Sequence, residues 1–475
     1  MKHAAPIGSQ MPTPDRYIAT SSVPVSAQQA FAYHERTGAL RRLIPPWESV
    51  SIEHSDDSLL PGSKVVLTNR LLGIPLRWHA EHTEYDPPNM FADTQASGPF
   101  KQWDHRHLFQ SRGEDQCLIR DELTYRVPMG ALGRLLGGGL VKQKIESMFS
   151  FRHHVVNSDL DLWQRYDQSP LRIAISGSTG LLGRQLCCML TLFGHEVHRI
   201  VRSTSGDDDS IAAWSDDEAE IQKLNGFDVV LHLAGKPIAD GRWTEKFKQE
   251  IRDSRLIKTR QLCERLASLS EKPKVLVCAS ATGLYGDRGD DAMDESCPAG
   301  EGFLPDLCKQ WEASTAAASD AGIRVVNARI GIVLSPKGGA LQKMLTPAKL
   351  LGGKLGSGKQ WWSWIGFDDA IGALYHCMQT PSLSGPVNLV APEPVTNREF
   401  VKTLGNVIRR PAIFPAPAFM LRLVLGEMAD ALLLDSTRVM PQRLAETGYQ
   451  FRHSELRGYL RYCLGYDRLE SIERA

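Results

Sequence analysis

The pattern of hydrophobic and polar positions changes near residue 165 and divides the chain into two parts. Before this point, short segments alternate apolar and polar residues, which is typical of strands with one buried face. After it, apolar runs alternate with amphipathic segments, which indicates a parallel sheet covered by helices. Residues 163–170 (WQRYDQSP) are the expected linker, because Pro170 disfavours helical conformation in the residue before it.

The first part is predicted to be a curved antiparallel sheet that wraps around one long helix. Residues 117–127 (CLIRDELTYRV) alternate clearly, and residues 64–85 predict two strands around a turn at 73–75. A short helix is expected over 27–33, and apolar residues at helical spacing over 141–155 predict a long helix at the end. Because a sheet curved around a helix encloses an apolar cavity, an apolar ligand is an expected partner of this part.

Three polar residues of the first part raise the question of a polar site. Asp121 falls on the apolar face of its strand, where it either faces a cavity or lies at a bulge. His105 and His107 are two residues apart on an expected strand, so both side chains point to one side. Lining the cavity is the favoured interpretation of this pair, and a pair of metal ligands is the alternative. No metal site is therefore expected in the chain.

The second part opens with residues 171–183 (LRIAISGSTGLLG), which predict a strand, a tight glycine turn and a helix. Such a turn presents backbone N–H groups and the positive end of a helix dipole to an anion, usually the pyrophosphate of a dinucleotide. The alternative is an ordinary strand–helix turn with incidental glycines. We expect the first glycine to allow the turn, the second to let phosphate approach and the third to let helix and strand pack closely. The predicted cofactor contacts in this motif are Gly177, Ser178, Thr179, Gly180, Leu181, Leu182 and Gly183.

The strand expected over 196–201 indicates which dinucleotide is bound. Its end lies where an acidic residue would hold a free ribose 2′-hydroxyl. Here the strand and its end carry Arg199 and Arg202 instead. A guanidinium suits a 2′-phosphate through its charge and forked hydrogen bonding, so NADP(H) is favoured over NAD. The alternative is that both arginines are solvated surface charges.

Length and composition limit the classes of function. The 475 residues are too many for one core, so two or three domains are expected. The 55 basic and 55 acidic side chains balance, and no long basic run suggests a nucleic-acid partner. The nine cysteines lack zinc-site spacing, so reduced thiols and a cytoplasmic protein are expected. No stretch has the length and hydrophobicity of a membrane span.

Further segments of the second part resemble a known family. The segments 227–235 (FDVVLHLAG), 274–286 (KVLVCASATGLYG), 329–334 (RIGIVL) and 356–369 are similar to extended short-chain dehydrogenases/reductases of the sugar-nucleotide epimerase/dehydratase group. Residues 236–255, 339–345 and 385–400 resemble more closely the atypical YfcH-like "epimerase family", which also bears a SulA-like label. The resemblance covers about 171–465. It implies a Rossmann domain over 171–410, a small helical extension over 411–465, and further cofactor contacts at Leu233, Ala234, Gly235 and Ile330.

The element order of the first part, with residues 98–109 (GPFKQWDHRHLF), resembles the START-like and polyketide-cyclase-like helix-grip domains. This resemblance implies an α+β ligand-binding domain over 15–165, which follows an expected disordered lead-in over 1–14. The whole chain is therefore expected to be a doubly wound α/β Rossmann fold preceded by a helix-grip domain.

The resemblance also implies catalytic roles. A strand-end Ser or Thr of the family orients a carbonyl, and the Tyr of a Y-x-x-x-K motif gives or takes the proton. The Lys of that motif lowers the pKa of the tyrosine and holds the ribose. Ser280 matches the strand-end hydroxyl, but Leu304 and Cys308 occupy the Tyr and Lys positions when Glu312 is aligned on the usual helix glutamate. Tyr285 is the expected substitute proton donor, although its position matches a residue that lines the substrate site in the family, and bound water or the substrate itself is the alternative source of the proton. Lys309 is the candidate for a shifted cofactor lysine.

Three functions follow, in order of preference. The first is an NADP-dependent oxidoreductase that acts on a carbonyl or alcohol of an unidentified small molecule. The second is a non-catalytic NADP-binding regulator linked to cell division or redox state, which the missing Tyr and Lys favour. The third is a nucleotide-sugar epimerase, for which the sequence shows no secure proton shuttle.

Overall fold

The computed structural model describes residues 14–71, 74–128, 130–203 and 210–467. The expected lead-in, apart from residue 14, and residue 73 of the expected turn at 73–75 lie outside the described residues. The chain divides into two compact units between Arg165 and Tyr166, a point within the expected linker. Each unit is described by itself below.

The first unit contains a seven-stranded antiparallel sheet. Its strands are β1 (Asp15–Val23), β2 (Val50–Ser55), β3 (Lys64–Leu71), β4 (Ile74–Asp86), β5 (Met90–Ser97), β6 (Gln102–Ser111) and β7 (Cys117–Arg126). They lie in the order β1-β7-β6-β5-β4-β3-β2, with every neighbouring pair antiparallel. The two strands predicted over 64–85 are thus β3 and β4.

Among its described residues, this unit has the helices α1 (Ala27–Glu35), α2 (Ala39–Arg42) and α3 (Gly130–Gln164). Helix α1 begins at a capping box, in which Ser26 and Gln29 satisfy each other's backbone N–H groups. Helix α3 packs against the sheet, where Phe149 lies 5.2 Å from Tyr17 between ring centroids. The predicted helix-grip arrangement is confirmed. The strand pair β6–β7 keeps its register through Asp121, which is buried, so this residue does not lie at a bulge.

The second unit contains the remaining strands, most of them short. They are β8 (Arg172–Ser176), β9 (Glu196–Ile200), β10 (Val229–His232), β11 (Val275–Ala281), β12 (Ala292–Met293), β13 (Arg324–Ile330), β14 (Ile332–Ser335), β15 (Gly352–Leu355), β16 (Trp361–Trp362), β17 (Trp364–Gly366), β18 (Gly385–Leu389), β19 (Val395–Thr396), β20 (Phe414–Ala416) and β21 (Arg438–Val439). Six of them form a parallel sheet in the order β18-β13-β11-β10-β8-β9. Ile173, Ile175 and Val230 are almost completely buried, as expected when helices cover both faces. This is the predicted Rossmann arrangement.

Twelve α-helices accompany these strands in the described part of the unit. They are α4 (Leu181–Leu192), α5 (Glu218–Gln222), α6 (Glu245–Ser268), α7 (Phe303–Ala313), α8 (Ala316–Asp320), α9 (Gly339–Lys349), α10 (Phe367–Gln379), α11 (Asn397–Val407), α12 (Ala418–Leu425), α13 (Glu427–Ala429), α14 (Gln442–Glu446) and α15 (Leu456–Cys463). The C-terminal segment joins the rest of the unit through two parallel strand pairs, β15–β20 and β12–β21. Within the described parts of the chain, no helix combines the length and apolarity needed to cross a membrane.

Candidate functional site

The glycine turn between β8 and α4 is built by close backbone contacts. Gly177 has a φ of +72°, which L side chains rarely adopt, and a Cβ there would lie 2.7 Å from the carbonyl carbon of Leu233. A Cβ on Gly183 would lie 2.2 Å from the Gly177 carbonyl oxygen. Both positions therefore exclude any side chain. The turn lies directly against the loop that follows β10, so the segments 177–183 and 233–235 form one surface.

This surface suits an anion. Gly180 is the N-cap of α4, and the first N–H groups of a helix have no partner within the helix. A Cβ on Gly180 would lie 3.1 Å from the Gly177 carbonyl oxygen, so a side chain at this position would be in tight contact with the backbone of the turn. Because glycine leaves the backbone open and the helix dipole is positive at this end, the site fits the pyrophosphate of a dinucleotide.

A buried hydrogen-bond chain lies next to the glycine turn and the loop after β10. His232 Nδ1 lies 2.6 Å from Ser176 Oγ, and its Nε2 lies 3.0 Å from Thr259 Oγ1. Ser176 Oγ also accepts the N–H of Ala234, and Thr259 accepts the indole N–H of Trp311. Burial lowers the pKa of His232 to about 4, so the imidazole is neutral near pH 7. The chain thus ties the end of β8 and the loop after β10 to helices α6 and α7.

The two arginines predicted to select NADP are both exposed. Arg199 lies on β9, which occupies an edge of the parallel sheet beside β8, opposite Ile175. Arg202 follows the end of the same strand. Strand β9 lies next to β8, the strand that precedes the glycine turn. In dinucleotide-binding proteins of this fold, residues at the end of the corresponding strand contact the ribose.

Ser280 and Tyr285 are joined through residues on two neighbouring strands. Ser280 of β11 pairs in register with Arg329 of β13, which pairs with Asn388 of β18. The three residues form a polar row across the sheet. Tyr285 ends a short 3₁₀ turn, and its hydroxyl donates to Asn388 Oδ1 at 2.8 Å.

Glu312 of α7 organises this row. Its carboxylate accepts two hydrogen bonds from Arg329, at 2.8 and 2.9 Å, and a third from Ser280 Oγ at 2.7 Å. Arg329 also donates to the Tyr285 hydroxyl at 2.9 Å. Burial raises the pKa of Tyr285 to about 12, although the Arg329 cation opposes the shift. Tyr285 is therefore protonated near pH 7, and its hydroxyl already has one donor and one acceptor partner.

The positions aligned with the family's Tyr and Lys hold no proton-handling group. Leu304 and Cys308 are buried on one side of α7, and Lys309 is exposed. Burial raises the pKa of the Cys308 thiol to about 12, so it is neutral near pH 7. A cation interacts electrostatically with Cys308 from another helix: Arg255 of α6, whose guanidinium lies over the Trp311 ring at 4.9 Å. A Cβ on Gly235 would lie 3.4 Å from this guanidinium.

The structure brings most predicted residues together at one sheet edge. Ile330 is the last residue of β13 and is partly buried against the sheet core, next to Arg329. Sequence reasoning missed four residues of the site: Arg329, Asn388, Thr259 and Arg255. For Arg329, a signal was available, because an arginine near the end of a buried apolar strand requires an acidic partner.

Three family descriptions match the chain. Residues 173–389 match the NAD dependent epimerase/dehydratase family, and residues 23–149 match the polyketide cyclase / dehydrase and lipid transport family. Residues 416–463 match a domain of unknown function, DUF1731.

Related proteins extend these matches. An epimerase family protein of Mycobacterium bovis is 41% identical over 294 residues, which are 61% of this chain and 97% of that protein. The crystal structure of a nucleoside-diphosphate sugar epimerase from Corynebacterium glutamicum is 30% identical, with a TM-score of 0.78, and the match covers 95% of this chain and 91% of that chain. Human epimerase family protein SDR39U1, isoform 2, crystallised with NADPH, is 33% identical with a TM-score of 0.58 over 62% of this chain and 99% of its own. The chain therefore belongs to the epimerase family of short-chain dehydrogenase/reductase-type proteins and carries an N-terminal polyketide cyclase-like domain.

Proposed function

We propose that the chain is an NADPH-dependent oxidoreductase that acts on a carbonyl or alcohol group of a small-molecule substrate. The observation that carries this proposal is the position of Ser280. Its hydroxyl lies at the end of β11, and the glycine turn follows the end of β8 in the same parallel sheet. Because the carboxyl ends of parallel strands meet at one edge, a substrate beside Ser280 and a cofactor at the glycine turn share one crevice.

NADP(H) is the proposed cofactor. Arg199 lies on β9 and Arg202 lies just after it, where this fold would hold the ribose, and no carboxylate replaces either arginine at these positions. A 2′-phosphate gains charge-assisted hydrogen bonds there, whereas a free 2′-hydroxyl gains little. The human relative crystallised with NADPH supports the same choice.

The protein's own groups would orient the reacting carbonyl. When bound, the nicotinamide supplies or accepts the hydride. Ser280 Oγ donates to Glu312 in this structure, so its O–H must rotate to donate to a substrate oxygen. Arg329 holds Glu312 in place through two hydrogen bonds, which fixes the starting position of the serine hydroxyl.

The proton is proposed to come from water or from the substrate. Tyr285 was the expected donor, but its hydroxyl is fully buried and bonded to Arg329 and Asn388. We propose instead that Tyr285 positions Arg329. The buried Leu304 and Cys308 favour a second candidate function, an NADP-binding regulator without turnover, because leucine has no exchangeable side-chain proton and burial raises the pKa of the Cys308 thiol to about 12, which makes it a weak acid.

The N-terminal domain is proposed to bind an apolar ligand. Aromatic side chains of the sheet, among them Tyr17, Trp103 and Tyr125, belong to the same apolar cluster as residues of α3. The match to the polyketide cyclase / dehydrase and lipid transport family supports this role. The cytosol is the proposed compartment, since all nine cysteines are free thiols.

The proposed activity is tested by single-turnover oxidation of bound NADPH against a panel of carbonyl compounds that includes a nucleoside-diphosphate keto sugar. Ser280→Ala is expected to lower the rate about 100-fold or more, as removal of one oriented donor does in other enzymes. Ser314→Ala is the matched control, because that hydroxyl is also buried but, among the described residues, donates to the Gln310 carbonyl of its own helix.

The same experiment separates the alternatives. Tyr285→Phe is expected to keep much of the wild-type rate if water supplies the proton, and a loss equal to that of Ser280→Ala would assign the proton to Tyr285. Tight NADPH binding with no oxidation by any carbonyl would favour the regulator.

A further inference from the structure

A cluster of two histidines and two aspartates lies on the inner face of the N-terminal sheet. Strand pairing places Asp93 of β5 opposite His105 of β6, and Asp121 of β7 opposite His107 of β6. Since these partners are neighbours across strands and His105 and His107 share one face, all four side chains converge. The His105 and His107 ring centroids are only 3.8 Å apart.

Asp121 fixes the orientation of both imidazoles. Its Oδ1 lies 2.9 Å from His105 Nε2 and 2.6 Å from His107 Nδ1. When each of these nitrogens donates its proton to Asp121, the opposite nitrogens, His105 Nδ1 and His107 Nε2, carry lone pairs. A carboxylate that accepts the second N–H of a histidine is the usual support of a metal-bound imidazole. Asp121 is itself held from α3, where His153 Nε2 lies 2.7 Å from its Oδ2.

The two lone-pair nitrogens face the same oxygen at distances that do not suit hydrogen bonds. Asp93 Oδ2 lies 3.5 Å from His105 Nδ1 and 3.6 Å from His107 Nε2. Good N–H···O hydrogen bonds are shorter than about 3.2 Å. Two ligands of a tetrahedral zinc ion with bonds of about 2.0–2.1 Å are separated by about 3.3 Å. The distances from Asp93 to the two nitrogens thus match ligands around a common ion better than they match direct hydrogen bonds, and one ligand atom from each of the three residues lies within 4.8 Å of the other two.

The cluster also has an accessible side. His105 is 3% exposed, whereas the side chains of Asp93 and His107 are 19% and 13% exposed. His82 of β4 pairs with Asp93 across the strands, and its buried Nδ1 has no hydrogen-bond partner among the described residues. Three protein ligands with one open side are typical of zinc sites that keep a position for water or substrate.

We propose that Asp93, His105 and His107 form a binding site for a divalent transition-metal ion, with zinc(II) as the ion that fits the spacing. Asp121 is a positioning residue that holds both imidazoles. The fourth coordination position is left to water, to a ligand of the cavity or to His82. This site lies in the N-terminal unit and does not depend on the proposed oxidoreductase activity of the second unit.

The test uses the untagged full-length protein after treatment with a chelator, titrated with Co²⁺ alone and then with Zn²⁺. One equivalent of Co²⁺ is expected to give the intense visible absorption of a tetrahedral or five-coordinate site, and Zn²⁺ is expected to displace it. Asp93→Asn and His107→Ala are expected to abolish this absorption, and Asp121→Asn to weaken binding about 10–100-fold.

The matched control is His54→Ala, because His54 also lies 2.8 Å from a carboxylate, Asp56, but on the exposed surface of the same sheet. It should bind Co²⁺ as the wild type does. Circular dichroism checks each variant, and His107→Gln replaces His107→Ala if the latter does not fold. Absence of saturable Co²⁺ and Zn²⁺ binding by the wild type would overturn the proposal, as would unchanged binding by folded Asp93→Asn.

Discussion

Arg329 and Glu312 form a bidentate ion pair at the carboxyl edge of the parallel sheet, with N···O distances of 2.8 and 2.9 Å. The pair connects a strand to a helix, and it also connects the two residues predicted to be catalytic. Ser280 donates to the carboxylate, and the Tyr285 hydroxyl accepts from the guanidinium. Both side chains are largely buried, so the charges depend on each other for stabilisation.

Glu312→Gln is expected to destabilise the protein strongly, because it leaves the buried Arg329 cation without a charged partner. Breaking a buried pair in this way costs about 3–5 kcal/mol. Adding Arg329→Met should recover part of that loss, since the unpaired charge is then removed as well. Urea unfolding of the two variants measures the effect, with the exposed pair Arg422–Asp430 as the control for a surface bridge. A Glu312→Gln protein as stable as the wild type would contradict the interpretation.

Gly183→Ala is expected to abolish cofactor binding or prevent folding of the second unit. The new Cβ would lie 2.2 Å from the Gly177 carbonyl oxygen, and both groups belong to backbone that cannot move aside. The matched control is Gly458→Ala, a helix glycine with open space around the Cβ position. That change should be neutral or stabilising by up to about 1 kcal/mol. Fluorescence titration with NADPH measures cofactor binding, and thermal unfolding measures stability. If Gly183→Ala bound NADPH as the wild type does, the cofactor pyrophosphate would not lie at the glycine turn.

The glycine turn could be predicted from the sequence because its requirements are local. A strand, three glycines and a helix follow one another in the chain. The positive φ of Gly177 is accessible because the residue is glycine and does not depend on distant parts of the chain. Ser280 could be predicted for the same reason, as the hydroxyl at the end of an apolar run. The alternation of residues 117–127 likewise placed Asp121 on the inner face, where the structure has it.

The partners of these residues could not be predicted, because strand register and helix packing decide them. Arg329 meets Glu312 only after β13 pairs with β11 and α7 packs beside them. Asp93 meets His105 only in one register of β5 and β6, and a shift by one residue would turn it to the opposite face. The apolar alternation of β5 is too weak to fix that register from sequence alone.

The double variant Arg199→Ala/Arg202→Ala is expected to lose its preference for NADPH. Each arginine is exposed near the end of β9, so its removal should leave the fold intact. Loss of charged hydrogen bonds to a phosphate costs about 1.5–3 kcal/mol, which is at least tenfold in affinity. Isothermal titration with NADPH and NADH measures the ratio, and Arg457→Ala, an exposed arginine of α15, controls for the lost charge. Equal affinities of the wild type for both cofactors would refute the assignment.

Acidification is expected to destabilise the second unit partly through His232. Burial lowers its pKa to about 4, whereas an unfolded histidine has a pKa of about 6.5. The unfolded chain therefore binds the proton first, and the stability that neutral His232 provides is complete above about pH 6.5 and is lost as the pH falls towards 4. The slope between these values is up to about 1.4 kcal/mol per pH unit.

Asp369 affects the pH dependence of stability in the opposite direction, because burial raises its pKa to about 6. The contribution of His232 is therefore measured as the difference in pH dependence between the wild type and a variant without this histidine. In His232→Gln, an amide replaces the titrating ring next to Ser176 and Thr259. Urea unfolding at pH 5 and pH 7.5 should show a smaller loss of stability for this variant than for the wild type. His198→Gln, at a partly exposed histidine of β9, is the control for loss of an imidazole outside this buried chain. Identical pH dependence in all three proteins would exclude His232 as the titrating group.

Arg255 is expected to supply the cation that the missing lysine provides in relatives with Y-x-x-x-K. In those proteins the lysine holds the ribose and acts from the helix position that Cys308 occupies here. Arg255 reaches the same region from α6: it interacts with Cys308, lies over Trp311 and would contact a Cβ on Gly235 in the cofactor loop. Its Nη1 donates to the Lys236 carbonyl at 3.0 Å, which keeps the guanidinium beneath that loop.

Arg255→Gln is therefore expected to weaken NADPH binding about tenfold or more, since it removes a charged donor next to the loop proposed to contact the cofactor. Arg252→Gln is the matched control, because Arg252 lies on the same helix but over the Phe303 ring, at 4.9 Å. Arg255→Lys should restore part of the affinity if charge is what matters, and none of it if the planar guanidinium must stay over Trp311. Isothermal titration of NADPH into each folded variant gives the affinities. Equal affinities for Arg255→Gln and Arg252→Gln would show that this family member binds its cofactor without a cation at that position.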